Sequence, residues 1–385
     1  MIGLIYRKII KPILFKFPAD DVHNFFLKSG NYLGRKKFMK NFLRSIFVYE
    51  NASLEQKVLS LPKQGFGGIS FKNPVGLAAG FDYDADLINV LPSVSFGFHT
   101  IGSVTYLPYA GNPAPMLGRL PKSKSLLVNK GFKSMGMESV LNKISESLRE
   151  RPAEEAGIPL GISIGSTNQQ YKKIEDMADD VCASFALALE TSYFDYFELN
   201  ISCPNLINVE NLKEKFDDHI GFSILLNKLS YLNINKPLFI KMHAEKSVEE
   251  TLALLEIAKN YKWVSGVTMS NLVKNRANPN LDKEEVRLAG KGNFSGKPTE
   301  ELANNLISAV YEKYKDRFII IGCGGIFTGA DAYEKIKRGA TLVQMITGMI
   351  YEGPSVIGKI NKDLVKLLKK DGYKNISEAI GAYHK

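Results

Sequence analysis

The sequence is poor in the residues that staple small folds together. It has three cysteines, Cys182, Cys203 and Cys323, an odd number with no CxxC pair. That excludes a disulfide framework, argues against a zinc site, and leaves no metal to be expected. The first apolar stretch, Met1 to Phe17, is broken by Arg7, Lys8, Lys11, Pro12 and Lys16. It is too short and too charged to span a bilayer, and it does not read as a cleavable signal peptide. There is no internal repeat and no low-complexity stretch. What remains is a chain of 385 residues with 45% apolar content. That suffices for one barrel of about 250 residues plus an extension, or for two average domains, in a reducing compartment.

Charge is distributed unevenly. Residues 1–50 hold ten Lys/Arg against three acids, a net of +7 out of +10 for the whole chain. So local a basic patch points to anionic lipid or to nucleic acid. The residues between the charges decide: Ile2, Leu4, Ile5, Ile9, Ile10, Ile13, Leu14, Phe15 and Phe17 are too many apolar groups for a nucleic-acid arm. Apolar residues interleaved with Lys/Arg mark an interfacial helix, so peripheral membrane contact is expected through residues 1–50, with no nucleic acid. The competing reading is a helix packed on its own domain.

Beyond residue 70, short apolar runs alternate with amphipathic segments. Eight runs are near-continuous, as strands buried on both faces require: Val75–Gly80, Phe98–Thr105, Pro159–Gly165, Tyr196–Ser202, Leu238–Met242, Ser265–Ser270, Phe318–Gly324 and Thr341–Ile346. Between them lie helical patterns at Ser134–Leu148, Asp176–Thr191, Val248–Asn260, Thr299–Tyr314 and Gly329–Arg338. Ser247 with Glu250, and Thr299 with a nearby acid, read as capping boxes. Strict alternation over eight units implies a closed parallel (β/α)₈ barrel, a TIM barrel, over residues 51–385, preceded by a helical segment over 1–50. A doubly wound sheet is the rival. It calls for a GxGxxG turn after the first strand, where this chain has Ala78-Ala79-Gly80.

Barrel active sites gather at the C-terminal ends of the strands. Runs seven and eight end in Gly324-Gly325 and Thr347-Gly348, suited to phosphate held by backbone N–H groups; tight turns are the plainer reading. Lys241 ends run five and should point into the barrel mouth, where a fixed cation stabilises a reduced flavin ring, unless it merely reaches solvent. Cys203 follows run four in Asn200-Ile-Ser-Cys-Pro-Asn205, lifted onto a loop by Pro204, and is a candidate general base or else a buried structural thiol. Asn129, Asn200, Asn205 and Asn271 converge near it and offer donors and acceptors to a planar cyclic amide.

With these residues the chain resembles the dihydroorotate dehydrogenases of the membrane-associated, quinone-using class (class 2). The matching motifs are Asn73-Pro-Val-Gly-Leu-Ala-Ala-Gly-Phe-Asp82, Phe96-Gly-Phe-His-Thr-Ile-Gly-Ser-Val-Thr105, Gly111-Asn-Pro-Ala-Pro115, Asn200-Ile-Ser-Cys-Pro-Asn205, Ser295-Gly-Lys-Pro298 and Ile321-Gly-Cys-Gly-Gly-Ile326. The resemblance implies an FMN enzyme that oxidises dihydroorotate to orotate in pyrimidine biosynthesis and passes the electrons to a membrane quinone. It places Ala79, Gly80, Ser103, Asn200, Lys241, Ser270, Gly296, Gly325 and Thr347 at FMN. It places Asn129, Phe132, Asn205 and Asn271 at the substrate, Cys203 at the base position, and His23 near a quinone tunnel. It also implies a location on the cytoplasmic face of a bacterial inner membrane, or on the mitochondrial inner membrane.

Several positions depart from that class. Cys203 stands where it has serine, Tyr83 where it has lysine, Ser163 for asparagine, Ser166 for lysine, Leu272 for threonine and Ile346 for tyrosine. The loop at Asn129-Lys130-Gly131 is one residue short, and Leu206-Ile207-Asn208-Val209 replaces the usual run after the base. Two other readings follow from these changes: a related FMN oxidoreductase acting on another cyclic amide or imide, and a non-catalytic descendant.

Overall fold

The computed structural model describes residues 2–61, 66–150, 157–207 and 211–385. Of the residues singled out above, Met1, Asn208 and Val209 lie outside that set. Thirteen strands are described: β1 (Gln56–Leu61), β2 (Phe66–Phe71), β3 (Val75–Leu77), β4 (Phe98–Val104), β5 (Leu117–Leu120), β6 (Ser125–Val128), β7 (Leu160–Ile164), β8 (Tyr196–Asn200), β9 (Leu238–Lys241), β10 (Val264–Met269), β11 (Asn293–Phe294), β12 (Ile319–Cys323) and β13 (Leu342–Met345).

Eight of them, β3, β4, β7, β8, β9, β10, β12 and β13, close into a parallel barrel with β13 paired back to β3. Each lies within one of the eight apolar runs apart from a one-residue shift at β10. The rival open sheet is thereby excluded. The helices that follow the strands wrap the barrel and bury their apolar faces against it. Ser247 and Glu250 form the expected capping box, which fixes the start of helix Val248–Ala258. Thr299 does not cap helix Glu300–Tyr314. Its hydroxyl instead donates to the Gly296 carbonyl at 2.8 Å, because Lys297–Thr299 is wound into a tight 3₁₀ turn.

The barrel interior is layered. At the N-terminal end, Phe98, Tyr196, Phe239, Ile321 and Leu342 form an apolar plug, covered by Val58 and Phe71 of the antiparallel hairpin β1–β2. Phe98 meets Phe71 edge to face at 5.5 Å, and Tyr196 meets Phe239 at 5.7 Å. Above the plug the layer turns polar. The Tyr196 and Thr100 hydroxyls lie 2.7 Å apart, and Gln344 donates to Thr100 at 2.6 Å. Thr268 donates to the fully buried carboxylate of Glu198 at 2.8 Å. Each strand contributes alternate residues to these layers, the period-two consequence of the pleat.

Two additions sit over the mouth. The small sheet β5–β6–β11 is antiparallel and carries residues 117–128 across it. The front segment is helical: Ile2–Leu14 with a π-helical turn at Tyr6–Ile10, then Ala19–Gly34 and Lys37–Phe47. It is pinned by polar contacts. Asp20 Oδ2 accepts the Met116 and Leu117 amides, both at 3.1 Å, the Tyr6 hydroxyl donates to the Ile350 carbonyl at 2.7 Å, and Arg7 pairs with Glu352 at 3.1 Å. Gly30 and Gly34 let helix Ala19–Gly34 lie directly on Leu87 and Val90, since a β-carbon at either would strike that turn.

Removing the ring of Phe98 from the plug should cost about 3–5 kcal/mol, the range for deleting a buried phenylalanine. Phe98→Ala should therefore lower the urea midpoint strongly while Phe98→Leu lowers it less. Equal midpoints for the two variants would show that the plug carries little of the stability.

Candidate active site

The mouth of the barrel is built from the ends of the strands and the loops that follow. Asn200 closes β8; its amide donates to Ser103 Oγ at 2.8 Å, and its carbonyl oxygen accepts from the Ser202 amide and hydroxyl at 3.1 and 3.0 Å. Ser103 in turn lies 2.9 Å from Ser163. Asn271, after β10, donates to Ser202 at 2.9 Å. These contacts fix the loop that carries Cys203.

Lys241 closes β9 and points inward, not to solvent: its side chain is 4% exposed and its Nζ lies 3.6 Å from Glu198 Oε1. Glu198 escaped the sequence reading, although a lone acid inside the apolar run Tyr196-Phe-Glu-Leu-Asn200 is the signal that could have found it.

Cys203 lines a cavity of about 560 Å³ together with Asn200, Asn205, Asn271, Lys241, Phe132 and Tyr83. Burial pushes its thiol up to about 12, against the opposing pull of the Asn205 amide and of the Lys241 and Lys274 ammonium groups. The cavity runs on past Ala79, Gly80, Ser103 and Thr347 to the front helices, where His23, Phe25, Phe26, Leu33 and Leu43 line it. His23 Nε2 sits 2.7 Å from the Phe81 carbonyl, which makes Nε2 the protonated nitrogen. Burial, with help from nearby Lys130, lowers the His23 pKa to about 4, so the ring is neutral at pH 7.

A smaller cavity of about 80 Å³ adjoins the first and is lined by Ala79, Lys241, Ser270, Asn271, Gly296, Gly324, Gly325 and Thr347. Gly324 and Gly325 adopt φ of +108° and +71°, which bends the chain back over Thr299 and Glu300, where a β-carbon would collide. The Thr347 and Gly348 amides open helix Thr347–Glu352 and have no acceptor within it. Ser270 Oγ is buried here without a hydrogen-bond partner. An oxygen-rich ligand fits that combination of free donors.

Of the proposed substrate residues, Phe132, Asn205 and Asn271 face the large cavity. Asn129 stands behind them, its carbonyl oxygen accepting from Asn112 at 2.9 Å. Asn112 is the hub that the sequence did not reveal. It also donates to the Asn205 carbonyl at 3.0 Å and accepts from Tyr109 at 2.7 Å and Asn168 at 3.3 Å.

A family model described as dihydroorotate dehydrogenase matches residues 62–368. The chain belongs to the dihydroorotate dehydrogenase family. Among its relatives, the dihydroorotate dehydrogenase (quinone) of Christiangramia forsetii is 34% identical over 366 residues, covering 94% of this chain and 99% of the relative. That of Trichodesmium erythraeum is 32% identical over 397 residues, with 99% of both chains covered. The crystal structure of a ligand-free dihydroorotate dehydrogenase from Eimeria tenella superposes with a TM-score of 0.74 at 25% identity, covering 92% of this chain and 99% of that one. The family resemblance and the barrel expected from the sequence both hold.

Within this dihydroorotate dehydrogenase fold, Glu198 has Lys241 as its ionic counterpart at the floor of the site. Replacing Lys241 by Met strands a buried carboxylate and should destabilise the protein by about 3–5 kcal/mol. The pair Lys241→Met with Glu198→Gln should recover most of that loss in urea denaturation. Additive losses in the double variant would show the two groups to be energetically independent.

Proposed function

We propose that this protein oxidises dihydroorotate to orotate as a flavin enzyme, with FMN as the cofactor and a membrane quinone as the electron acceptor. The observation that carries the reading is the continuity of one cavity, from an apolar channel between the front helices to a polar chamber holding Cys203, Lys241 and three asparagines. A reaction that joins a polar substrate to a lipid-soluble oxidant needs both ends in one space.

In this reading Gly325, Gly296, Thr347 and their backbone amides would hold the flavin phosphate, and Ala79, Gly80, Ser103, Asn200, Lys241 and Ser270 would hold the ring system. Ser270 Oγ, buried and unpartnered, is the orphan that such a group would satisfy. When bound, FMN would supply a two-electron acceptor for substrate oxidation and a donor for quinone reduction. Phe132, Asn205 and Asn271 bind the substrate ring, with Asn129 bracing them through Asn112. Cys203 removes the C5 proton as the general base. Its thiol is disfavoured as thiolate in the ligand-free protein, and Lys241 and Lys274 are the charges that favour the thiolate. Tyr83 is buried and its phenol is pushed well above its ordinary range by that burial, so it contributes a ring and no charge.

The front helices expose Ile2, Ile9, Ile13, Phe17, Phe25, Phe38 and Phe42 among Lys and Arg side chains. Among the described residues no helix is long and apolar enough to cross a membrane. In this reading the segment lies in the interface of an anionic bilayer, on the cytoplasmic face of a bacterial inner membrane, with its channel opening toward the lipid.

Anaerobic addition of dihydroorotate to the purified protein should bleach the flavin absorbance, and a short-chain quinone should restore it. Yellow protein that never bleaches would overturn the substrate assignment. Cys203→Ala should keep the flavin but slow bleaching by about 10²–10⁴-fold, the usual worth of a positioned base. Because the thiolate is the active form and exists only as pH approaches the raised pKa, kcat/KM should climb with pH from 7 to 9 without levelling. A flat profile over that range would remove Cys203 as the base.

The membrane assignment has its own check. The protein should co-sediment with vesicles rich in anionic lipid, release as salt rises, and lose binding on Phe38→Ser with Phe42→Ser. Equal recovery with neutral and anionic vesicles would count against an electrostatic contribution.

A further inference from the structure

Lys130 is a buried cation that the proposed chemistry does not use. It is 5% exposed, yet its side chain lines the same cavity as Cys203, Asn205 and Asn271. Its Nζ lies 5.0 Å over the Tyr83 ring. It also lies 3.5 Å from Asp20 Oδ1, an oxygen that is buried without a hydrogen bond. Asp20 spends its other oxygen on the Met116 and Leu117 amides, so the ammonium has the Asp20 carboxylate and a ring face as its charge partners. Burial draws the Lys130 pKa down, and Asp20 only partly opposes this.

Dihydroorotate carries a carboxylate at neutral pH, and the asparagines around it offer no charge. Among the described residues, Arg119, Lys130 and Lys241 are the lysines and arginines that line the cavity. Lys241 pairs with Glu198 on the barrel floor and, in the proposed reading, faces the flavin ring. Arg119 donates to the Phe17 carbonyl at 2.7 Å and stacks on Phe15 at 4.6 Å, at the front-helix end. Lys130 and Lys241 both adjoin the asparagines, and of the two only Lys130 is left unassigned by the proposed flavin contacts. It directly follows Asn129, whose carbonyl oxygen shares the Asn112 amide with the Asn205 backbone.

We infer that Lys130 is the specificity-determining cation that receives the substrate carboxylate, leaving its ion pair with Asp20 to do so. The inference rests on the proposed oxidation of dihydroorotate. A carboxylate brought within hydrogen-bond reach gives this under-solvated ammonium a charge-assisted hydrogen bond, which its 3.5 Å ion pair with Asp20 and its cation–π contact do not. Since Asp20 belongs to the front helix, the substrate and that helix then compete for one ammonium.

The test compares orotate with its neutral carboxamide, each titrated into flavin-loaded protein and read by the shift of the flavin spectrum. Wild type should prefer the carboxylate by tenfold or more, and Lys130→Gln should abolish that preference while Lys130→Arg retains part of it. A preference unchanged in Lys130→Gln overturns the inference. So does a defect confined to reoxidation by quinone, which would mean that Lys130 serves only the front helix. Should Lys130→Gln not retain flavin, Asp20→Asn carries the test: freeing the ammonium should sharpen the carboxylate preference several-fold, and no change counts against the inference. Failure of wild type to bleach with dihydroorotate would instead refute the underlying substrate assignment.

Discussion

Glu198 sits inside the barrel with none of its surface exposed, and its charge has to be met there. Thr268 meets one oxygen and Lys241 faces the other. An ionised carboxylate left alone at such a depth would cost several kcal/mol, so the lysine cannot turn outward, and its ammonium is fixed at the boundary between the polar layer and the mouth. The plug below keeps water from reaching the pair from the N-terminal end. A cation held by a partner beneath it remains available to a ligand above it, and its position costs no rearrangement when that ligand develops negative charge.

The rest of the mouth is braced by amides in the same way. Asn112, Asn200 and Asn271 spend their donors on other residues of the site, Ser202 and Asn205 on either side of Cys203 among their partners. The front helices are tied to this arrangement by polar contacts on one side and left apolar on the other. Asp20 and His23 lie on the side that meets the barrel, and each contacts a backbone group next to the site. The front segment is thereby an extension of the cavity wall.

The barrel was legible because its strands are buried on both faces, which turns each into a near-continuous apolar run. The hairpin β1–β2 and the sheet β5–β6–β11 were not read. Gln56–Leu61 and Phe66–Phe71 show no continuous run, and Asn293–Phe294 is too short to leave a pattern. The site was legible where a chemically distinctive residue ends a strand, as Lys241 and Asn200 do, or opens the loop after one, as Cys203 does. It was illegible where the partner comes from elsewhere in the chain: nothing near Asn112 announces that it will join Asn129, Asn168 and Asn205, because that meeting depends on three loops closing over one barrel. Thr299 misled for a related reason, since a helix-start pattern cannot tell a cap from a turn that consumes the same hydroxyl.

The departures from the quinone-using class acquire a physical order once the mouth is assembled. Tyr83 brings a ring in place of a charge, and the ring is not idle: it packs edge to face against His23 at 5.9 Å and lies beneath the Lys130 ammonium. A buried phenol held neutral cannot balance an anion, but its face can lower the cost of keeping a lysine nearby until an anion arrives. The same shortened loop that carries Asn129 and Phe132 carries Lys130. A single substitution at residue 83 would have removed a cation from the chamber. Together with a loop that turns Lys130 inward, it leaves the chamber a charge on the side of the front helix, where Asp20 meets it.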